Sequence, residues 1–84
     1  MRRELGRHIV VDSEIHHGAI TFRGTRIPVA FVLDDVADGT DWDTIVELWH
    51  GSITKEAIAE VVRLASDALV ARHEPAQAAT SPSA

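Results

Sequence analysis

The chain has 84 residues, enough for one small domain with a modest hydrophobic core that oligomerisation would enlarge. It contains no cysteine, which excludes a disulfide framework and a thiolate metal site. The net charge of −5 is not that of a strongly basic nucleic-acid-binding domain. No apolar run has the length of a membrane span or a signal peptide. We therefore expect a soluble, cytoplasmic protein.

The charge is unevenly distributed along the chain. Residues 1–28 hold five Arg against three acidic residues, a balance of +2, whereas residues 29–84 hold three basic against ten acidic residues, a balance of −7. If the protein binds DNA, the positive potential must come from the first third of the chain, doubled across a dimer.

The first third of the chain has strand-like patterns. Residues 1–7 are polar without a period, so we expect a flexible arm there. The β-branched segments 8–11 and 19–22 predict two strands, separated by the turn-forming segment 12–18. Two short strands form a marginal unit alone. We expect them to be covered by helices or by a second copy, and we favour an intertwined homodimer.

A change from strand to helix is predicted at the segment 22–29. Gly24 permits a positive φ, and Thr25 offers a hydroxyl to a local turn. Pro28 suits the first position of a helix and pushes Ile27 towards extended geometry. The helix should therefore begin near Val29.

Three helices are predicted after this point. The first has its apolar residues 29, 32, 33, 36 and 37 on one face and stops at Gly39. Thr40 is the expected N-cap of a short second helix, which breaks at segment 50–52. Thr54 is the expected cap of a third helix with an apolar stripe to about Arg72. We predict one domain over residues 8–73 and, because no large apolar residue follows, a disordered tail over 74–84.

A family resemblance rests on four segments. They are the segment 18–29 with its Arg-Gly-Thr-Arg-Ile-Pro-Val core, a helix ending at Asp38-Gly39, a short helix from Ile45 to Trp49, and the segment 53–58. Over roughly residues 8–72 the sequence resembles the bacterial family called domain of unknown function 433. The resemblance implies a mainly α fold with short N-terminal β-strands and a three-helix helix-turn-helix (homeodomain-like) domain. Members look like VapB-type antitoxins of type II toxin–antitoxin pairs, often matched with a PIN-like ribonuclease toxin.

Four candidate site residues lie in the loop before the first helix: Arg23, Gly24, Thr25 and Arg26. Guanidinium forks suit phosphate or carboxylate. The two arginines could contact DNA phosphates, or insert into the acidic metal site of a ribonuclease toxin. They could equally fix the loop by pairing with Asp12, Glu14 or backbone carbonyls. The residues leave this choice open.

Three further candidates lie near the start of the third helix: Thr54, Lys55 and Arg63. They would contact DNA or a partner if this helix is the recognition helix of a helix-turn-helix. Glu56 and Glu60 share the exposed face and would repel phosphates. A solvated helix face is therefore the equally weighted alternative.

Other chemistry has little support in the sequence. The five histidines lack the helical spacing of a metal site, and neighbouring His16 and His17 would point opposite ways in an extended strand. Trp42 and Trp49 are seven residues apart and are expected in the core. No serine has the context of an activated nucleophile. We predict no catalytic residue, metal or cofactor, and a protein that is not an enzyme.

The leading hypothesis is an antitoxin: a homodimer that neutralises a PIN-like toxin protein and represses its own operon by binding operator DNA. The alternative is a dimeric protein-interaction module that does not bind DNA. The basic arm and arginine loop favour the first, and the acidic third helix favours the second.

Overall fold

A small antiparallel sheet precedes three helices in the computed structural model, which describes the backbone of residues 1–80 and the side chains of residues 1–72. The elements in these residues are β1 (Arg2–Glu4), β2 (Ile9–Asp12), β3 (Ile20–Phe22), α1 (Val29–Ala37), α2 (Trp42–Leu48) and α3 (Lys55–Thr80). The fold is therefore mixed α/β, where a mainly α domain with two strands was predicted.

The sheet has the strand order β1-β2-β3, and both pairings are antiparallel. Strand β1 lies in the segment predicted to be a flexible arm. Its polar residues show no strand pattern, but they pair with the apolar strand β2, with Arg3 opposite Val11. Amides of Leu5 and Gly6 close the connection by donating to the Ile9 carbonyl at 2.9 and 3.2 Å. Pairing with β2, rather than local propensity, therefore produces this strand.

Helix α1 ends as the sequence predicts, and this ending changes the start of α2. Gly39 has φ +85°, and the amides of Gly39 and Thr40 donate to the carbonyls of Val36 and Asp35 at 3.0 and 3.1 Å, a Schellman motif. Thr40 completes the end of α1, so the predicted Thr40 cap of α2 is wrong. The cap is Asp41, whose Oδ2 accepts from the Thr44 amide at 3.0 Å.

The turn between α2 and α3 repeats this ending. His50 and Gly51 have φ values of 56° and 74°, and the Gly51 amide donates to the Val46 carbonyl at 2.9 Å. Thr54 then caps α3, with its Oγ1 accepting from the Ala57 amide at 3.1 Å, as predicted. The hydrogen-bonded C-terminal end of α2 and the Thr54 cap of α3 thus define the turn between the two helices.

Helix α3 runs to Thr80, past the predicted end near Arg72. Its 26 residues give a length of about 39 Å. Alanines at 76, 78 and 79 favour helix, a local propensity that the apolar pattern does not register. Residues 81–84 of the predicted disordered tail lie outside the described residues.

The core lies where the sheet meets the three helices. It is formed by the buried residues Ile9, Phe22, Val29, Val32, Ile45, Ile53, Ala57, Ile58 and Val61. Trp42 and Trp49 are half-buried at its edge, and the Trp49 ring stacks on Phe31 with 6.4 Å between centroids. Ala37, Ala65 and Leu69, which belong to the predicted apolar faces, are exposed. The core therefore covers only the first part of α3.

Among the described residues, one buried side-chain polar atom lacks a hydrogen-bond partner. Thr21 in β3 is fully buried, and among the described residues its Oγ1 has no hydrogen bond. Replacing the hydroxyl by a methyl group of the same shape removes an unpaired polar atom. We expect Thr21→Val to raise the free energy of unfolding by about 1 kcal/mol in urea denaturation. A loss of similar size would show that the hydroxyl has a favourable contact.

Candidate functional site

A carboxylate on α3 holds the sheet against the helices. Glu60 accepts from the backbone amides of Arg7 and His8 at 2.7 and 2.6 Å, and its Oε1 lies 3.1 Å from His8 Nδ1. A Cβ at Gly6 would lie 2.6 Å from Glu60 Oε2. The helical pattern predicted an exposed glutamate that repels phosphate; instead Glu60 ties α3 to the β1–β2 connection.

The pKa of Glu60 reflects two opposing effects. Burial raises the pKa of its carboxyl, but the amide donors of His8 and Arg7, with the His8 ring, outweigh that effect and hold the pKa below its ordinary value. The carboxylate is therefore charged in the folded protein at neutral pH, and the contact depends on that charge.

Arg23 fastens the loop that follows β3 to the same connection. Its Nη1 donates to Glu4 Oε2 at 2.9 Å, its Nε to the Arg7 carbonyl at 2.8 Å, and its Nη2 to the Gly6 carbonyl at 3.3 Å. The hydrogen bond with Glu4 raises the pKa of Arg23 and lowers that of Glu4. Arg23 thus makes the contacts expected of a loop-fixing residue, with Glu4 in place of the predicted Asp12 or Glu14.

The loop itself is shaped by Thr25 and Gly24. The Thr25 hydroxyl donates to the Phe22 carbonyl at 2.9 Å and accepts from the Ile27 amide at 3.0 Å. Gly24 has φ +79°, a conformation that side chains rarely adopt. Arg26 is exposed and lines a concavity on this side of the sheet.

We call this concavity the loop recess. It has a volume of about 370 Å³ and is lined by Arg2, Val10, Asp12, Ile15, Gly24, Thr25 and Arg26. Of the predicted site residues it therefore gathers Gly24, Thr25 and Arg26. Arg2 was not predicted, because β1 was taken for a flexible arm.

The predicted residues of α3 lie elsewhere. Thr54 and Lys55 line a shallow surface between α2 and α3, the helix-turn surface, with Asp43, Val46, Glu47, Gly51, Ile53 and Glu56. Lys55 Nζ lies 2.8 Å from Asp43 Oδ1, and this hydrogen bond raises the pKa of Lys55. Arg63 is exposed further along α3. This surface carries three carboxylates and one paired lysine, a poor match for DNA phosphates.

A third concavity lies where the core is open. This apolar groove has a volume of about 310 Å³ and is lined by Leu5, Ile9, Ile20, Val29, Leu33, Val61, Leu64, Ala65 and Ala68. Beside it Leu69 is 58% exposed. The spacing of apolar residues puts Ala65 and Leu69 on the predicted apolar stripe of the third helix, and an excess of apolar residues over what a small core buries is the signal of an open surface.

These features define a small α/β domain with an apolar groove, a cationic recess and an acidic helix-turn surface. The family description "Protein of unknown function (DUF433)" matches residues 9–65, more than half of the chain. The chain belongs to the DUF433 family, which confirms the family part of the resemblance. No curated protein and no solved structure matches this chain. In the part of the chain that the structure describes, no helix has the length and apolar character to cross a bilayer.

The contact of Glu60 generates a prediction about stability and pH. A Gln side chain has one carbonyl oxygen, so Glu60→Gln leaves one of the two amides without its acceptor. We expect the variant to lose about 1–2 kcal/mol of unfolding free energy at neutral pH, measured by urea denaturation. Glu47→Gln, at an exposed position on α2, should lose much less.

The depressed pKa of Glu60 sets the direction of the pH effect. Its contribution is complete above the ordinary carboxyl pKa of 4.5 and is lost as the pH falls through the lower folded-state value. The stability difference between the wild type and Glu60→Gln should therefore shrink below that pH. A difference that stays constant into acid would contradict a role for the charge.

The two loop arginines should respond differently to substitution. Arg23→Ala removes two hydrogen bonds to the β1–β2 connection and one to Glu4 of β1, so we expect a lower melting temperature. Arg26→Ala should leave the melting temperature unchanged, because its guanidinium makes no hydrogen bond within the described residues. Equal melting temperatures for both variants, by calorimetry, would contradict this assignment.

Proposed function

We propose that this protein is the antitoxin of a type II toxin–antitoxin pair, which binds and neutralises a PIN-like ribonuclease toxin. The family resemblance supplies the kind of partner. The single structural observation that supports protein binding is the apolar groove with its exposed neighbours. In a chain of 84 residues, apolar surface left open beside the core is typical of a surface that a protein partner covers.

The groove has a shape suited to a helix. It lies between β3, α1 and α3, and Ile20, at its β3 side, is 41% exposed. An amphipathic helix binds such grooves through apolar residues at spacings of three and four. We propose that a helix of the toxin lies here, with its apolar face against Leu33, Leu64 and Ala68.

Charge complementarity favours this partner. Residues 29–84 hold ten acidic against three basic residues, and exposed carboxylates on α1 and α2 include Asp34, Asp38 and Asp43. A ribonuclease must present a basic surface to its RNA substrate. An acidic partner is attracted to that surface, and the attraction raises the association rate.

We propose that the protein acts as a homodimer, joined through the outer edge of β1. Strand β1 is at one end of the sheet order and offers its second edge for pairing.

Operator binding is the second candidate function, in which α2 and α3 serve as a homeodomain-like helix-turn-helix. The exposed Arg2, Arg3, Arg7 and Arg26 favour it, since they concentrate positive charge in the first third of the chain. The paired Lys55 and the carboxylates of the helix-turn surface oppose deep insertion of α3 into a groove. DNA contacts would therefore come mainly from the N-terminal third.

The toxin proposal predicts a defined loss of binding. Ala68 is exposed and lines the groove, so Ala68→Glu should preserve the fold while placing a charge in the interface. We expect the complex with a co-expressed PIN-like toxin to weaken by about a hundredfold, since an unpaired buried charge costs several kcal/mol. Affinity co-purification and calorimetry measure this loss.

Ser66→Glu is the matched control. Ser66 is exposed on the same helix but about 200° around its axis from Ala68. This variant should bind the toxin as the wild type does. Equal binding by Ala68→Glu would place the toxin elsewhere on the surface, and an absence of binding by the wild type would contradict the antitoxin function.

The DNA proposal is tested by fluorescence anisotropy with DNA from upstream of the gene and with scrambled DNA. If the protein is an autorepressor, preference for its own DNA persists at near-physiological salt, and Arg2→Gln with Arg3→Gln weakens binding to both DNAs. Weak binding that is equal on both DNAs and lost with salt would favour the protein-interaction module without DNA binding.

A further inference from the structure

The loop recess lies on the side of the sheet that turns away from the helical core. Cross-strand partners share a face, and Ile9 pairs with Phe22 on the core face. Val10, the next residue of β2, therefore belongs to the other face, and it lines the recess. This site is separate from the apolar groove and is independent of toxin binding.

Two guanidinium groups line the recess without internal partners. Arg2 and Arg26 form no ion pair among residues 1–72, whereas Arg23 is paired with Glu4 and Lys55 with Asp43. Asp12 supplies the only carboxylate among the residues that line this recess. Its Oδ1 already accepts a hydrogen bond from the Glu14 amide at 2.8 Å. The recess therefore has an excess of one positive charge.

Backbone donors accompany these side chains. Within the described residues the backbone amides of Gly24 and Arg26 donate no hydrogen bond. The neighbouring amides do: that of Thr25 donates to the Phe22 carbonyl, and that of Ile27 donates to the Thr25 hydroxyl. Free amides beside a residue with positive φ are a recurring arrangement for binding anions. The recess thus combines charged and neutral donors for one anionic group.

The loop is held in this arrangement before any ligand arrives. The Thr25 hydroxyl makes two hydrogen bonds, and His16 Nε2 lies 3.0 Å from the Arg26 carbonyl oxygen. Arg26 lines a concave surface. It is therefore better placed to bind a small anion in the recess than to insert into the metal site of a toxin. Preorganised donors bind with little loss of conformational freedom.

The chemistry of the lining selects the anion. One excess positive charge balances a monoanion, whereas a phosphate dianion would lie against the carboxylate of Asp12. Ile15 offers apolar contact beside the arginines. A guanidinium fork binds a carboxylate through two parallel hydrogen bonds.

We propose that the loop recess binds an organic monocarboxylate that carries a short aliphatic group. Arg26 and Arg2 hold the carboxylate, with the free amides of Gly24 and Arg26, while Ile15 contacts the aliphatic part. The carboxylate belongs either to a free small acid or to the C-terminus of a peptide. The volume of about 370 Å³ is in the range of small-molecule sites.

Titration of the full-length, ¹⁵N-labelled protein followed by NMR tests this site. The probes are isobutyrate, the peptide acetyl-Ala-Val with a free carboxylate, the same peptide as its C-terminal amide, and inorganic phosphate. We expect the amide signals of Gly24 and Arg26 to shift with a carboxylate probe and to stay in place with the amidated peptide. Tighter binding of isobutyrate indicates a free acid as the ligand, and tighter binding of the peptide indicates a chain terminus.

Matched variants locate the binding. Arg26→Gln and, separately, Arg2→Gln should each weaken carboxylate binding by about tenfold or more, with the dispersion of the spectrum reporting an intact fold. Arg63→Gln, at an exposed position on α3, should leave binding unchanged. The proposal is overturned by equal shifts with phosphate, by unchanged binding in both recess variants, or by an absence of shifts with both carboxylates.

Discussion

The sheet is tied to α3 by one carboxylate of that helix, which accepts hydrogen bonds from two backbone amides. The carboxylate of Glu60 lies within 2.7 Å of the Arg7 amide nitrogen and 2.6 Å of that of His8, and Gly6 leaves the space for it. Arg23, in the loop after β3, donates to the Arg7 and Gly6 carbonyls of the same connection. Glu60 therefore ties α3 to the β1–β2 connection, whose Leu5 lines the apolar groove, and Arg23 ties the loop after β3 to the same connection.

Local signals in the sequence predicted much of the helical part. The start of α1 at Val29, the stop at Gly39 and the Thr54 cap follow from residue types within one turn of each other, because capping is a short-range effect. Thr40 and Asp41 are both good caps, and the choice between them depended on the Schellman motif that already uses Thr40. Strand β1 could not be predicted from its own residues.

The candidate site was less accessible from sequence because its contacts are long-range. Nothing near Glu60 indicates that it meets a turn 52 residues earlier. The loop motif drew attention to both Arg23 and Arg26, but only the fold separates them: Arg23 is turned to the β1–β2 connection and Arg26 to the recess. The two surfaces, the apolar groove and the loop recess, differ in chemistry and lie on opposite faces of the sheet.

Amide hydrogen exchange on the full chain, alone and with the proposed PIN-like toxin, tests whether the apolar groove is the partner-binding surface. We expect slower exchange in the complex for residues 20–22 of β3 and residues 64–68 of α3, with little change in the turn between α2 and α3. Protection confined to residues 49–56, or no protection in any of these segments, would contradict this expectation.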